Sequence, residues 1–406
     1  MLSEDAIDKL VQPLVDRQEA INNYIVQLIA KRIREIGKLK PSDIHQLERL
    51  MRMGADVQQV NAELVRLTNL QVADIKSLIR TVAIDGYIMA KPYYDYRHKA
   101  FIPFAKNTEL QNIVKSIEKR TVGTYKNISN SSAFMLRDLS HPGRLKPTSI
   151  AKTFQTVIDE AVSLVQSGTV DYGTAMRRTL KQLNDSGLRY VTYNTESGRI
   201  YTQRLDSAVR RNILDGITAV QQGVQDEIGK QVGADGKEIS VHAMSAPDHE
   251  PVQGHQFTNE EYEKLQSSLP FKDVDGQKFE PIDRHIGQYN CRHFTWSIIL
   301  GVDKPNFTKK QLEEFKKDNN AGYTLPNGKH LTLYECSQKM REMETAIRRA
   351  KDGKMAAEAA GDIELAKKYR AQAAQLAKEY RAFAKACGLT PVPSRASVPG
   401  YKTKIS

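Results

Sequence analysis

Apolar residues recurring every three or four positions over most of the chain constrain its fold more than any other feature. Ile21, Tyr24, Ile25, Leu28, Ile29, Ile33 and Ile36 line one side of a helix that Gly37 and Pro41 end. Ser42 and Asp43 are placed to cap a second helix, with Ile44, Leu47, Leu50 and Met51 inward and Gly54 as its stop. Asp56 opens a third through Val60, Leu64 and Leu67, and a fourth runs from about Val72 to Met89. The stretch KPYYDYRHKAFIPF, residues 91–104, is aromatic and proline-rich and does not continue it. The helical period returns near the other end. A short helix is expected from about Thr308 to Lys317, and a long one begins near Thr332 with Met340, Met343 and Ile347 periodic. Gly361-Asp362 breaks it before a further helix through Leu365, Tyr369, Leu376, Tyr380 and Phe383, which predicts a helical hairpin.

The middle of the chain is mixed. Residues 121–147 contain NISNSS and HPGRLKP, loop chemistry that suggests a hinge. Ser149 then caps a helix with Phe154, Val157, Ile158, Ala161, Leu164 and Val165, followed by one with Met176, Leu180 and Leu183. LRYVTY (188–193) and RIYTQ (199–203) flank NTESG as two short strands around a turn. Residues 205–228 form another amphipathic helix, along which Arg204, Arg210 and Arg211 are expected on a solvated face paired with Asp206 and Asp215. GADGKE and VDGQKF suggest hairpin turns. The fold class is therefore mainly α with a small α+β module. Four parts are expected: an N-terminal helical domain (1–147), a central module (148–300), a basic helical arm (301–389) and an extended tail (390–406). The tail, with three prolines in its first ten residues and almost no large apolar residues, is expected to order only against a partner.

Charge narrows the partners. The 406 residues hold 60 Lys and Arg against 48 Asp and Glu, a net +12. Residues 1–100 carry +2 and residues 101–200 carry +6, residues 201–300 carry −5, and residues 301–406 carry +9. Such blocks describe modules rather than one basic surface. The basic arm, with Arg348, Arg349, Lys351 and Lys354 clustered, is positioned either to neutralise DNA phosphates or to solvate one helix face. Tyr93, Tyr94, Tyr96, Arg97, His98 and Lys99 invite the same two readings: stacking on bases, or packing with a solvated rim. Three cysteines between residues 291 and 387 build no disulfide framework. No stretch approaches the roughly 18 apolar residues that cross a bilayer. The opening MLSEDAIDKLVQPL has acids where a secretion signal has basic residues, so a soluble protein made in a cytoplasm is expected, with no membrane partner.

Five of the nine histidines fall between residues 242 and 293: His242, His249, His255, His285 and His293. Hydrophobic periodicity cannot produce that excess. Cys291-x-His293 with His242, His249 and His255 supplies enough imidazole and thiolate donors for a tetrahedral zinc site, although the spacing matches no standard zinc finger. The alternative is that these side chains hydrogen-bond backbone groups and fix a loop-rich fold. A third reading takes Cys291 with a nearby histidine as nucleophile and base, or His249 with Asp248 as a base and its orienting group. No GxSxG, HExxH, P-loop or dinucleotide fingerprint accompanies them, and no catalytic residue is assigned.

The words VTYNTESGRIYTQRLDSAVRRNILDGI (191–217), VHAMSAPDHEPVQGHQF (241–257), IGQYNCRHF (286–294) and YECSQKMREMETAIRRAK (334–351) together resemble the phage minor capsid protein 2 family. More distantly, the middle section is similar to the Mu F-like head morphogenesis domain. The family's ordered motifs fall here on His242, Pro247-Asp248-His249, Gln253-Gly254 and Asn290-Cys291-Arg292-His293. Relatives commonly carry an Arg before the Pro and an aromatic before the Gln-Gly, where this chain has Ala246 and Val252. The resemblance implies a non-enzymatic minor structural protein of the tailed-phage head. It further implies association with the portal protein and capsid components, made in the host cytoplasm and incorporated during procapsid assembly. A DNA-binding protein packaged or ejected with the genome is the alternative; a metal- or cysteine-dependent effector enzyme is the second.

Overall fold

The computed structural model describes residues 4–36 and 55–405, apart from 139, 168, 194–198, 268–269, 274–275, 283, 289–290 and 292. The helix expected over residues 42–54, the NTESG turn, and Asn290 and Arg292 of the NCRH motif lie outside the described residues.

The fold is mainly α with small antiparallel sheets. Helix α1 spans Glu4–Ile36 and α2 spans Ala55–Ile88. The two helices expected on either side of Thr68 are thus one. Gln71, polar in the sequence, is fully buried: its amide donates to the Leu14 carbonyl at 3.2 Å and its oxygen accepts from Arg17 at 2.7 Å. A tertiary contact with α1 therefore satisfies what looked like a break.

Residues 91–104 do not continue α2, as expected, and Lys91–Tyr96 form a separate short helix α3 with proline in its first turn, where no amide is needed. Tyr94 is buried edge-on to Tyr87 at 6.1 Å, Phe101 stacks on Tyr87 at 4.8 Å, and Arg97 forms an ion pair with Asp303. Within the aromatic-basic cluster Tyr94 is packed and Arg97 paired, while Tyr96, His98 and Lys99 stay exposed as a solvated rim.

The expected hinge at 121–147 is mostly regular structure. Helix α4 runs Thr108–Asn130, because Tyr125 and Ile128 are buried and outweigh the polar text around them. Strands β1 (Ser132–Arg137) and β2 (Leu145–Ser149) follow as an antiparallel hairpin. Helix α5 (Ile150–Gln166) starts with Ser149 Oγ accepting from the Lys152 amide, and α6 (Tyr172–Ser186) is capped by Asp171. Strands β3 (Arg189–Tyr193) and β4 (Ile200–Arg204) pair antiparallel and complete a sheet of order β2-β1-β3-β4.

Helix α7 (Leu205–Val232) is the axis of the body, packing on α1, α2 and α4. Gly216 and Gly223 stand seven residues apart on its α4 side. A Cβ at Gly216 would lie 2.6 Å from Thr121 Oγ1, and one at Gly223 2.6 Å from Ile113 Cγ2, so these glycines set the close approach of the two helices. One apolar core runs from Ile25 and Ile29 through Ile79, Tyr125, Val157, Leu183 and Ile213 to Ala356 and Ala360.

Arg204 is not on a solvated face. It is buried, with Nη2 at 2.9 Å from both Glu19 carboxylate oxygens, Nε 3.1 Å from Asp206 and Nη2 3.4 Å from Asp352, while Arg348 pairs with Asp206 at 3.0 Å. Burial, followed by the charge of Glu19, pushes the Asp352 carboxyl well above its ordinary range. Arg210 pairs with Asp8 on α1.

After α7, GADGKE is a helix-to-strand connection rather than a hairpin turn. It leads through Gly233 into β5 (Gly236–Ile239), which lies between β6 (Gln256–Thr258) and β9 (Thr295–Ile298) in an antiparallel sheet. Between these edges come α8 (Asn259–Leu265) and the hairpin β7 (Phe271–Lys272)–β8 (Lys278–Phe279), where VDGQKF was expected to turn. Helix α9 (Lys309–Ala321) and the small pair β10 (Tyr323–Thr324)–β11 (His330–Leu331) lead to α10 (Leu333–Ala360) and α11 (Ile363–Ala386). These last two form the expected hairpin, broken at Gly361 (φ +78°) and recapped by Asp362. The tail does order, against this chain itself. Lys351 donates to Ala396 O, Lys354 to Lys402 O and Lys404 O, and Arg395 pairs with Asp8. Basic side chains of α10 bond to carbonyls of the tail, and Ala396 adds an apolar contact in a small cluster with Met340, Ile347 and Tyr380.

Candidate metal centre

The sheet topology brings two loops to one end of β5. The 240–255 loop leaves β5 after Ile239, and because Ile239 pairs with Thr295, the first residue of β9, the segment before β9 arrives at that same end. Ser240 and Phe294 lock this junction: the Ser240 amide donates to Phe294 O at 2.8 Å, and the Phe294 amide to Ser240 Oγ at 3.0 Å. The Gln253-Gly254 pair has a steric reason here. Gly254 has φ +73°, and a Cβ on it would lie 2.4 Å from Leu312 Cδ2.

At the centre stand His249, Cys291 and His293, all buried. Cys291 Sγ lies 3.3 Å from His249 Nδ1 and 3.4 Å from His293 Nδ1. The far side of each ring is held by an oxygen: His249 Nε2 is 2.6 Å from Arg284 O, and His293 Nε2 is 3.2 Å from Gln253 Oε1. That amide oxygen also accepts from the His242 backbone N–H at 3.2 Å, which fixes its orientation. Asp248 and Arg284 tie the loops a second time, with contacts of 2.6 and 3.1 Å. Burial works against ionisation of Asp248, but the Arg284 hydrogen bonds and nearby positive charge hold its carboxyl below the usual range.

Of the five candidate ligands, the fold gathers three. His242 is half-buried beside them, its ring 4.2 Å from that of His293. His255 faces the other way, edge-on to Phe279 at 5.4 Å within the aromatic packing of Phe257 and Phe271. Burial lowers the pKa of His249, and burial with the neighbouring histidines holds His293 well below its ordinary value. Burial pushes the Cys291 thiol up. A cysteine nucleophile needs the opposite shift and access to substrate. Ala246 and Val252, where the chain departs from its resemblance, are both buried, and Val252 belongs to the small core with Ile239, Phe257 and Leu265.

A model of one family, phage minor capsid protein 2, matches residues 2–385. The chain belongs to the phage minor capsid protein 2 family. No curated protein and no solved structure matches it. The match covers the helical body and the histidine-cysteine module alike, so minor capsid membership extends to both. It makes the protein a structural component of the phage head. Among the described residues, no helix is long and apolar enough to cross a membrane.

The four basic residues singled out on α10 are placed unequally. Arg348, Lys351 and Lys354 point into the protein, onto Asp206 and the tail carbonyls. Arg349 is exposed, in a groove of about 510 Å³ between α6 and the α10–α11 hairpin that Arg177, Lys181 and Lys368 also line. Sequence reasoning missed Arg177, Lys181 and Lys368, which lie on two other helices. Their basic type was visible, but nothing local joined them.

Proposed function

We propose that this minor capsid protein sits at the portal vertex of a tailed-phage head and joins it in the host cytoplasm during procapsid assembly. The observation that carries the reading is the family match over residues 2–385. Exposed apolar side chains support a role in contacts with other head components. Tyr193 (64% exposed) and Tyr201 (54%) stand on the β3–β4 hairpin, and Val65 (62%) on α2. Co-purification tests it: the protein is expected in procapsids and in portal complexes drawn from them. Its absence from isolated heads overturns the proposal.

The basic groove favours a second reading, contact with packaged DNA. Of its cations, Arg177 is paired with Asp362 and Lys181 with Asp185, so that among the described residues Arg349 and Lys368 are the pair presented to an anion. Removing the whole hairpin is a poor test, because Ala356 and Ala360 belong to the main core. Charge reversal is the cleaner one. Arg349→Glu with Lys368→Glu is expected to weaken DNA retention and to flatten its dependence on log salt by about 0.9 for each phosphate no longer neutralised. An unchanged slope rejects DNA binding by this groove.

A further inference from the structure

We infer that His249, Cys291 and His293 form a structural binding site for a borderline-soft divalent cation, zinc by ligand chemistry, which staples the 240–255 loop to the segment before β9. The inference rests on an inventory of protons at the cluster and is independent of where the protein sits in the virion.

Arg284 O is a backbone carbonyl and only accepts, so His249 Nε2 carries its hydrogen. Gln253 Oε1 is fixed as an acceptor by the His242 amide, so His293 Nε2 carries its hydrogen as well. Both neutral rings therefore present bare Nδ1 lone pairs, and both face the same sulfur, at 3.3 and 3.4 Å. A thiol has one hydrogen. It satisfies one of the two lone pairs and leaves the other against sulfur, in a site where His249 and His293 are each only 1% exposed. A buried acceptor without a donor costs about 1–3 kcal/mol.

A divalent ion resolves the conflict at one stroke. The thiol gives up its proton to solvent, and the thiolate and both Nδ1 atoms become ligands. Zn–S of about 2.3 Å and Zn–N of about 2.0–2.1 Å in tetrahedral geometry place sulfur and nitrogen about 3.6 Å apart. The observed separations are within about 0.3 Å of that. Oxygen acceptors on the far nitrogen of ligating imidazoles are the usual outer-shell arrangement, and here Arg284 O and Gln253 Oε1 already occupy those places. His242 lies against the His293 ring at 4.2 Å and outside the converging donors, which leaves the fourth position to water. The need for a staple is local: among the described residues, the module's separate core has seven buried apolar members, from Ile239 to Ile282.

The full-length protein, purified without chelator, is expected to hold about one zinc per chain by elemental analysis. The cobalt-substituted protein should show thiolate-to-metal charge transfer in the near ultraviolet. Cys291→Ser, close in shape to the native residue, should abolish that band while circular dichroism is unchanged, and His293→Ala should lose the metal. His255→Ala should keep both metal and band. Gln253→Ala, which frees the His293 ring without removing a ligand, should weaken zinc affinity by about 10–100-fold. Should His293→Ala fail to fold, the cobalt spectra of the native and Cys291→Ser proteins still decide. Absence of zinc together with absence of a cobalt–thiolate band overturns the inference, as does a band that survives in Cys291→Ser.

Discussion

In the helical body the side chains with no exposure are mostly apolar or aromatic, such as Ile25, Ile29, Ile79, Tyr87 and Leu110. In the module of residues 236–298 the most deeply buried set is mixed, with Glu238, His249, His293 and Thr295 beside Ile239, Phe257 and Leu265. The body is held by buried apolar area, which tolerates small changes of shape at moderate cost. The module depends on matched donors and acceptors, where removing one partner strands another. Glu238, for example, accepts from Gln256 Nε2 and from the Asn306 amide, each at 2.9 Å. A buried charge cluster in the body crosses this division and so tests it most sharply. Arg204 is a buried charge inside the apolar body, shared by α1, α7 and α10 through Glu19, Asp206 and Asp352.

The largest effect is expected there. Arg204→Ala leaves Glu19, Asp206 and Asp352 buried without the cation they share, and should destabilise the protein by about 3–5 kcal/mol. Urea unfolding followed by far-ultraviolet circular dichroism measures it, since the signal is dominated by the helices. A loss below about 1 kcal/mol, the range of exposed ion pairs, would mean that water reaches the cluster and that the body's interior is more polar than its packing indicates.

What was legible in the sequence follows the same division. Helix ends governed by neighbouring residues were readable: Gly361-Asp362, Thr332 and Thr308 mark ends or starts that the structure keeps. Errors arose where a distant segment decides the local outcome. Gln71 looks like a break until Leu14 and Arg17 are placed beside it, and Asn127 to Asn130 look like a loop until Tyr125 and Ile128 are buried. Arg204 looks solvated because Glu19 and Asp352 are 185 and 148 positions away. The tail looks partnerless because its partners are distant in sequence: Lys351 and Lys354 of α10, Tyr380 of α11 and Asp8 of α1. At the histidine-cysteine cluster, residue type announced a site but could not choose among its members. His255 stands next to β6 and turns into aromatic packing, whereas His249 and His293 meet only because β5 pairs with β9.

The smallest expected effect asks whether body and module unfold as one. The same local device occurs in both: Thr258 with Glu261 caps α8 in the module, and Thr332 with Glu335 caps α10 in the helical arm. In each, the threonine hydroxyl accepts from the third-residue amide, at 3.1 and 3.2 Å, and the glutamate reaches back to the threonine amide, at 2.8 and 2.9 Å. Matched geometry means that Thr258→Ala and Thr332→Ala each remove about 1 kcal/mol of local stability. Any difference between the two variants therefore reports the unit in which the cap sits, and not the cap itself. The module rests on α7 through polar contacts, Ser297 Oγ to Gln225 O at 2.7 Å and Thr295 Oγ1 to Gln222 Oε1 at 2.6 Å, with a separate small core. Sub-global opening of the module is accordingly expected below the free energy of global unfolding. Hydrogen exchange should show Thr258→Ala accelerating amides of β5, β6 and α8 while leaving α7 and α10 unchanged, and Thr332→Ala doing the reverse. Equal acceleration of both sets by either variant would show a single cooperative unit, and the contrast between apolar body and polar module would then be one of composition without separate stability.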